Sequence, residues 1–271
     1  MSMKQKVFDI SLFFHDETLY FDFSYCEEPI YERDIIFTPG NQFSGTTWEN
    51  GIVPYEFDRN LSTKLRDSVK SAMENIENKS SVKFVRRTNQ RDYIKITDCK
   101  DYFSFVGKQG YRKICTGTFE DGYCIGCGNQ DCTGMKYSGM QVLSITDNPD
   151  RFPAPVGSAM HELMHALGFY HEHSRPDRDH YLTVNNLNCN YVKHEDHPNV
   201  TCNGPYDLES IMHYPLERGI KLNELNPGIM KLVSEKKITV GQREKLSKGD
   251  INALNELYPS TSSFRFLSFW T

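Results

Sequence analysis

Residues 161–179 read HELMHALGFYHEHSRPDRD, and this stretch decides the fold and the chemistry of the 271-residue chain. His161 and His165 lie four residues apart, so on a helix both imidazoles leave the same face and can bind one metal ion. Gly168 can adopt the positive φ angle that turns the chain, which lets His171 approach the same ion from the side. Three nitrogen ligands leave a coordination position open for water, a pattern typical of catalytic rather than structural zinc sites.

Glu162 follows His161 directly, so it lies close to the metal without being forced into the coordination shell. A carboxylate in that position suits a general base that accepts a proton from a water molecule polarised by the metal. Paired histidines also occur by chance on ordinary helices, but the extended motif with Gly168 and His171 is far more specific than its first five residues. The stretch therefore predicts a catalytic zinc site in which Glu162 is the base.

The stretch resembles the metzincin metallopeptidases, in which H-E-x-x-H-x-x-G-x-x-H is followed by a turn that contains methionine. Here Ser210–Tyr214 reads SIMHY and supplies Met212. Within the metzincins, Glu172 after the third histidine, the run Arg175–Asp179 and the position of Tyr214 are similar to the astacin family. The resemblance covers most of the chain, and its motifs are highly specific.

The resemblance implies an α+β fold, a metzincin-type two-lobed catalytic domain with a twisted mixed sheet, long helices and a zinc cleft between the lobes. It implies an endopeptidase that uses one Zn²⁺ ion to hydrolyse peptide bonds in protein or peptide substrates. Tyr214 would be an additional ligand that moves to hydrogen-bond the oxyanion, and Met212 would pack beneath the zinc. Glu172 would receive the new N-terminus after propeptide removal.

A catalytically inactive astacin-like protein that binds peptides is the alternative from another functional class. Replacement of Glu162 or of a ligand histidine would favour it, and none of these residues is replaced. The sequence therefore favours the enzyme.

The length of the chain allows one large domain with a sizeable core or two small ones. Residues 1–40 lie outside the astacin pattern, and the resemblance implies that they form a propeptide. We expect the catalytic domain over residues 41–260 and a short aromatic C-terminal tail over residues 261–271.

The family makes zymogens in which an aspartate of the propeptide motif F-x-G-D binds the zinc. Tyr31–Asp34 is the nearest match here, although Arg33 replaces the glycine. Asp34 is therefore one candidate for the zymogen switch. Cys26 is a rival, because a thiolate is a good zinc ligand. Either switch implies an activating protease as a partner.

Composition excludes several kinds of partner. The 31 basic and 36 acidic residues give a formal net charge of −5, with no basic block that would indicate nucleic acid. No apolar run is long enough to span a bilayer. Eight cysteines are many for a reducing cytosol, and sequons at Asn60, Asn78 and Asn199 are compatible with glycosylation. We expect a secreted protein, although residues 1–10 lack the apolar core of a signal peptide, which we attribute to a missing upstream segment.

The segment between Gly107 and Ser138 departs from the family, which needs only a short connection there. It contains four cysteines, Cys115, Cys124, Cys127 and Cys132. They could bind a structural zinc or form disulfides, and disulfides are favoured because the spacing fits no metal module known to us. Cys189 and Cys202 enclose a polar loop and are expected to pair. By the resemblance, Ser81 and the segment Ser260–Ser263 stand where a family disulfide would be, which indicates a lost bridge.

Hydrophobic periodicity predicts the main elements of the catalytic domain. We expect strands over 51–57, 82–86 and 93–96, a helix over 62–78 with Ser62 as its N-cap, and a helix over 251–257 opened by a capping box at Ser247–Asp250. Residues 138–145 resemble the edge strand that aligns substrate in antiparallel register. The cleft would then run beneath that strand, near Val142.

Overall fold

The computed structural model of the chain describes residues 35–36, 46–110, 112–115, 135–147, 155–185, 191–193, 202, 204–217 and 219–260. Its strands are β1 (Ile35–Ile36), β2 (Ile52–Phe57), β3 (Lys83–Arg86), β4 (Asp92–Thr97), β5 (Phe103–Phe105), β6 (Arg112–Cys115), β7 (Met135–Ser144), β8 (Leu182–Val184) and β9 (Ile220–Leu222). Its α-helices are α1 (Thr63–Glu77), α2 (Pro155–Leu167), α3 (Pro227–Lys236) and α4 (Lys248–Leu257). A mixed sheet with separate helices is the α+β architecture that the family resemblance implied.

The large sheet has the strand order β1-β5-β7-β4-β2-β3, and β6 pairs with the first half of β7. Strands β2, β3, β4 and β7 run parallel, whereas β5 is antiparallel to β7 and β1 is parallel to β5. Within the described residues from 46 onward, β5 is therefore the edge of the sheet on that side.

The prediction that residues 138–145 form an edge strand is wrong. Over this segment β7 pairs with β4 on one side, from Gly139 to Ser144, and with β5 on the other side at Leu143 and Ser144. Residues 139–146 are buried without interruption, which is the pattern of a strand covered on both faces. The outer strand on this side of β7 is β5.

The described residues contain three hydrophobic clusters, of which the two larger ones form the main cores of the fold. The first packs α1, α2 and α4 against the sheet and includes Val53, Leu65 and Leu163. The second is formed by residues between 182 and 240, including Leu182 and Ile220. The stretch around residue 212 links them, because Met212 packs in the first core and Tyr214 in the second.

Helix α1 begins where the sequence predicted. The Ser62 hydroxyl accepts a hydrogen bond from the Leu65 N–H at 3.3 Å, which satisfies one of the unpaired donors at the helix start. The apolar residues at spacings of three and four, from Leu65 to Ile76, are all buried. Helix α1 therefore covers the sheet with one face and leaves the other to solvent.

Helix α2 is buried along nearly its whole length. A Cβ atom added at Gly157 would lie 1.7 Å from the carbonyl oxygen of Arg243, so only glycine allows the approach of these two segments. The helix ends at Gly168, whose φ angle is 113°. The chain turns there, as expected for the residue that redirects His171.

Hydrogen bonds join the two regions where the family disulfide was expected to be lost. The Ser81 hydroxyl donates to the carbonyl oxygen of Tyr258 at 2.5 Å. The Asn255 amide donates to the carbonyl oxygen of Lys79 at 2.8 Å. The connection therefore persists without a covalent bond.

Trp48, near the start of the described region from residue 46 onward, and Tyr258, near its end, meet at the C-terminal end of α2. The Trp48 indole donates to the Ala166 carbonyl at 2.9 Å, and the Tyr258 hydroxyl donates to the Leu167 carbonyl at 2.8 Å. The Trp48 N–H also donates to the Tyr258 hydroxyl at 3.4 Å. Both rings are buried, so these bonds are shielded from water.

The predicted Cys189–Cys202 disulfide is wrong, because Cys202 is an exposed free thiol. Burial raises the pKa of this thiol. Cys189 lies outside the described residues. Cys99 is disulfide-bonded, and its partner lies outside the described side chains. No helix in the described residues is long and apolar enough to cross a bilayer.

Candidate metal centre

The structure brings the three predicted ligands together. His161 and His165 come from the same face of α2, and His171 follows the turn at Gly168. One ligand atom from each histidine lies within 4.8 Å of the others, and all three side chains are buried. His171 lies between the turn at Gly168 and a short 3-10 turn over Glu172–Ser174, so its backbone is restricted on both sides.

Backbone carbonyls orient the first two imidazoles. His161 Nδ1 lies 2.8 Å from the Ile211 carbonyl oxygen, and His165 Nδ1 lies 2.7 Å from the Phe169 carbonyl oxygen. A nitrogen that faces a carbonyl must carry the proton, so both Nε2 atoms present lone pairs. These Nε2 atoms are 3.1 Å apart, a repulsive arrangement unless a cation lies between them. Tetrahedral zinc with Zn–N bonds of about 2.0–2.1 Å would need about 3.3 Å, so the donor set fits zinc.

Strand β5 lies directly beside this centre. The Gly107 N–H, two residues after the strand, donates to the carbonyl oxygen of His165 at 2.8 Å. The edge of the sheet is thus fixed to the helix that carries two of the ligands. A peptide chain lying along this edge would pass next to the histidines.

Asp250 holds the methionine turn beneath the centre. Its carboxylate accepts hydrogen bonds from the Ser210 hydroxyl at 2.7 Å, the Ile211 N–H at 2.9 Å and the Ser247 N–H at 2.8 Å. Ser247 and Asp250 also form the predicted capping box of α4. Since the Ile211 carbonyl orients His161, this carboxylate supports the first ligand through one residue.

Gln242 and Arg243 form hydrogen bonds with backbone carbonyls at the two ends of the methionine turn. The Gln242 amide donates to the Glu209 carbonyl at 2.8 Å, and the Arg243 guanidinium donates to the His213 carbonyl at 3.0 Å. The His213 ring is fully buried, and this burial lowers its pKa to about 4. The turn is therefore anchored along its length by residues 242–250.

Tyr214 projects its ring against the third ligand. The centroids of the Tyr214 and His171 rings are 4.5 Å apart, with an interplanar angle of 52°. Met212, two residues earlier, is buried in the first core. Tyr214 therefore contacts the histidines and the second core, whereas Met212 packs in the first core.

Glu162 is buried on α2 and is not a member of the histidine cluster. Its charge acts on Tyr102, whose pKa is raised to about 12, first by burial and then by the Glu162 carboxylate. The Tyr102 hydroxyl donates to the Thr146 carbonyl at 2.5 Å. The Glu162 carboxylate therefore lies near this buried phenol.

Comparison with known proteins settles the family. The model of the astacin peptidase family matches residues 40–128 and 123–259. The chain belongs to the astacin family. Human tolloid-like protein 1 is 32% identical over 225 residues, which cover 78% of this chain and 19% of the relative. Bone morphogenetic protein 1 of Xenopus laevis is 32% identical over 220 residues, covering 78% of this chain and 27% of the relative.

A solved structure gives the same result. High choriolytic enzyme 1, a hatching enzyme zinc-protease from Oryzias latipes, superposes with a TM-score of 0.56 at 27% identity. The match covers 82% of this chain and 98% of that structure. In contrast, the chain spans only about a fifth to a quarter of the length of the two curated relatives. The shared part is the astacin domain itself.

Glu172, the residue after the third histidine of the astacin motif, forms hydrogen bonds with other residues of the chain. Its carboxylate accepts from the Asp207 N–H at 2.7 Å and from the Arg175 guanidinium at 3.2 Å. Its own N–H donates to the Met212 carbonyl at 3.1 Å. Burial raises the pKa of Glu172 to about 7, against the opposing effect of Arg175. This carboxylate joins the histidine segment to the methionine turn.

Several residues that were predicted to have a role lie away from the histidine cluster or outside the described part of the chain. Asn60 and Asn78 are exposed, so both are accessible to modification. Outside the described residues lie Cys26, Asp34 and Asn199. The sequence analysis missed the contacts of Asp250 and Arg243 with the methionine turn, because these residues are some 30 to 40 positions away along the chain.

Proposed function

We propose that this chain is a zinc-dependent endopeptidase that hydrolyses peptide bonds in proteins and is made as a zymogen. The observation that carries the proposal is the buried cluster of three histidines, with ligand atoms within 4.8 Å of one another, beside strand β5. Membership of the astacin family supports the same activity. We assign the catalytic domain to residues 41–260, the propeptide to residues 1–40 and a tail to residues 261–271.

Each residue of the centre has a separate chemical task. One Zn²⁺ ion held by His161, His165 and His171 would polarise the scissile carbonyl and lower the pKa of a water molecule towards about 7. Glu162 accepts the proton that this water loses during its attack on the carbonyl, and later delivers it to the leaving amine nitrogen. The Tyr214 hydroxyl donates a hydrogen bond to the oxyanion. Met212 contributes packing beneath the ligands.

Substrate recognition by strand addition is supported by the position of β5. β5 pairs with β7 on one side, and within the described residues from 46 onward no strand pairs with its other side. The Gly107 N–H fixes the end of β5 to His165. A substrate added antiparallel to β5 would use backbone hydrogen bonds for affinity and side-chain pockets for specificity. The sheet edge would thus orient the scissile bond toward the histidines.

The zymogen proposal is supported by β1. Ile35 and Ile36 pair with Ser104 and Phe105 in parallel, so the segment occupies the edge that a substrate would use. A parallel segment runs opposite to an antiparallel substrate and does not present its peptide bonds in the same direction. We propose that residues 1–40 block the cleft in this way until an activating protease removes them.

Asp34 directly precedes β1, and we propose its carboxylate as the group that occupies the zinc site in the zymogen. Cys26 remains the rival, since a thiolate is also a good zinc ligand. After removal of the propeptide, Glu172 would receive the new N-terminus. Its buried carboxylate, with a pKa raised to about 7, already lies beside the methionine turn.

We further propose that the protein is secreted and glycosylated. The Cys99 disulfide supports an oxidising compartment, because disulfides are rare in a reducing cytosol. Asn60 and Asn78 are exposed sequon asparagines, as attachment of a bulky glycan requires. Asn199 is the third proposed site.

Glu162→Gln tests the enzymatic proposal. The variant should retain one zinc per chain, measured by atomic absorption, but lose nearly all cleavage of casein after residues 1–40 are removed. Glu74→Gln, the same change at an exposed position of α1, is the matched control and should leave turnover unaltered. Chelation should abolish activity in the unsubstituted enzyme and in the control.

The alternative is a catalytically inactive astacin-like protein that binds peptides. The intact set of His161, Glu162, His165 and His171 argues against it. Unsubstituted protein that binds zinc and peptides but cleaves no casein after removal of residues 1–40 would establish this alternative. Comparable activity in Glu162→Gln would instead refute the role of Glu162 as the base.

A further inference from the structure

His173 lies between the third histidine of the centre and Tyr214. Its ring stacks on His171 with centroids 4.8 Å apart and an interplanar angle of 23°. It stacks on Tyr214 with centroids 4.3 Å apart and an angle of 29°. The side chain is completely buried, so no water layer separates the three rings.

The backbone on both sides of this stack is fixed by hydrogen bonds. The Tyr214 N–H donates to His173 Nδ1 at 3.4 Å, which places the proton of a neutral imidazole on Nε2. The guanidinium of Arg178 donates to the His173 carbonyl at 2.9 Å and also to the Tyr191 carbonyl. The Tyr191 ring in turn meets the Tyr214 ring edge-on, at 5.4 Å. The Tyr214 ring is thus bordered by three rings, of which His173 is the nearest.

We propose that His173 is a positioning residue that sets the Tyr214 ring relative to His171. This inference rests on the proposed role of Tyr214 as the oxyanion donor. The hydroxyl oxygen of a tyrosine moves far when the whole side chain swings about its Cα–Cβ bond, so a donor to the oxyanion needs this swing restricted. Misplacement by about 1 Å can cost about a hundredfold in rate. His173 supplies a flat surface on the face of the ring and an acceptor for the Tyr214 backbone.

Two substitutions separate the stacking from the rest of the side chain. His173→Phe keeps a planar ring in the stack, and His173→Leu fills the space without one. We expect His173→Leu to lower kcat by about tenfold or more, and His173→Phe to restore most of that loss. Both variants should keep one zinc per chain, because the three ligand histidines are untouched. Crystals of His173→Leu should show the Tyr214 ring displaced. If His173→Leu does not fold, His173→Asn takes its place in the same comparison.

A double-mutant cycle with Tyr214→Phe identifies the route of the effect. Tyr214→Phe alone should cost about a hundredfold in turnover, since it removes one oxyanion donor. In that background, His173→Leu should have little further effect, because no hydroxyl is left to position. A merely structural role for His173 would lower kcat by the same factor in both backgrounds.

The outcomes distinguish this inference from the proposed function. If Tyr214→Phe is fully active, the role of Tyr214 fails and the positioning role of His173 fails with it. If Tyr214→Phe is impaired but the His173 effect is equal in both backgrounds, only the inference is overturned. Zinc loss in His173→Leu would also overturn it, because the residue would then act on the ligand. An unmoved Tyr214 ring in the crystals would do the same.

Discussion

Asp250→Ala should destabilise the protein although Asp250 touches none of the zinc ligands. The substitution leaves two backbone donors, the N–H groups of Ile211 and Ser247, without their acceptor. Each unpaired buried donor costs about 1–3 kcal/mol in the free energy of unfolding. Burial raises the pKa of Asp250, so loss of a poorly solvated carboxylate offsets part of this cost. We expect a net destabilisation of about 2–4 kcal/mol.

Thermal unfolding followed by circular dichroism measures this effect. For a domain of this size, each kcal/mol lowers Tm by about 2–4 °C, so we expect a decrease of about 5–15 °C. Asp67→Ala is the control, because within the described residues this exposed aspartate of α1 forms one surface ion pair, with Lys70 at 3.1 Å. Such pairs contribute about 0–1 kcal/mol. The zinc-loaded Asp250 variant should also release zinc faster, since Ile211 orients His161.

The reasoning fails if Asp250→Ala and Asp67→Ala melt at the same temperature. That result would mean that the donors of Ile211 and Ser247 find other acceptors when the carboxylate is removed. A large loss of stability with unchanged zinc release would be a narrower failure. It would retain Asp250 as a structural residue but reject its coupling to His161.

Three further predictions concern the ligands, the methionine turn and latency. His171→Ala should lose zinc at low free metal, and full occupancy by atomic absorption would remove His171 from the site. Gly241→Ala should be strongly destabilised in thermal unfolding, because the φ angle of Gly241 is 77° and the new Cβ would lie 2.2 Å from the Pro215 nitrogen. An unchanged melting temperature would contradict this close packing. Asp34→Ala should give a full-length chain that is already active on casein, while Cys26→Ser stays latent. The reverse outcome would identify the Cys26 thiolate as the switch. If the double variant is latent and becomes active when residues 1–40 are removed, the propeptide simply blocks the cleft.

The sequence was most informative where the determinants are local. The spacing of His161, His165 and His171 around Gly168 lies within eleven residues, and helix geometry converts that spacing directly into a cluster. The N-cap at Ser62 and the capping box at Ser247 are also short-range patterns, and both are present. Such features depend on backbone geometry that is the same in every protein.

Long-range pairing explains the errors and omissions. The apolar segment at 138–145 resembled an edge strand, but its neighbours are decided by strands distant in sequence. Cysteine connectivity cannot be read from spacing, and Cys202 is free. The capping box predicted the bond of Asp250 to Ser247, but not the bonds to a turn 40 residues earlier. The stack of His173 on Tyr214 joins residues 41 positions apart.

The meeting of Trp48 and Tyr258 at the end of α2 has a consequence for how this domain can be built into proteins. Trp48 and Tyr258, near the two ends of the described region from residue 46 onward, lie at neighbouring points, which are separated by about the length of one tyrosine side chain. A domain with adjacent attachment points can be inserted into a longer polypeptide, or circularly permuted, without stretching its backbone.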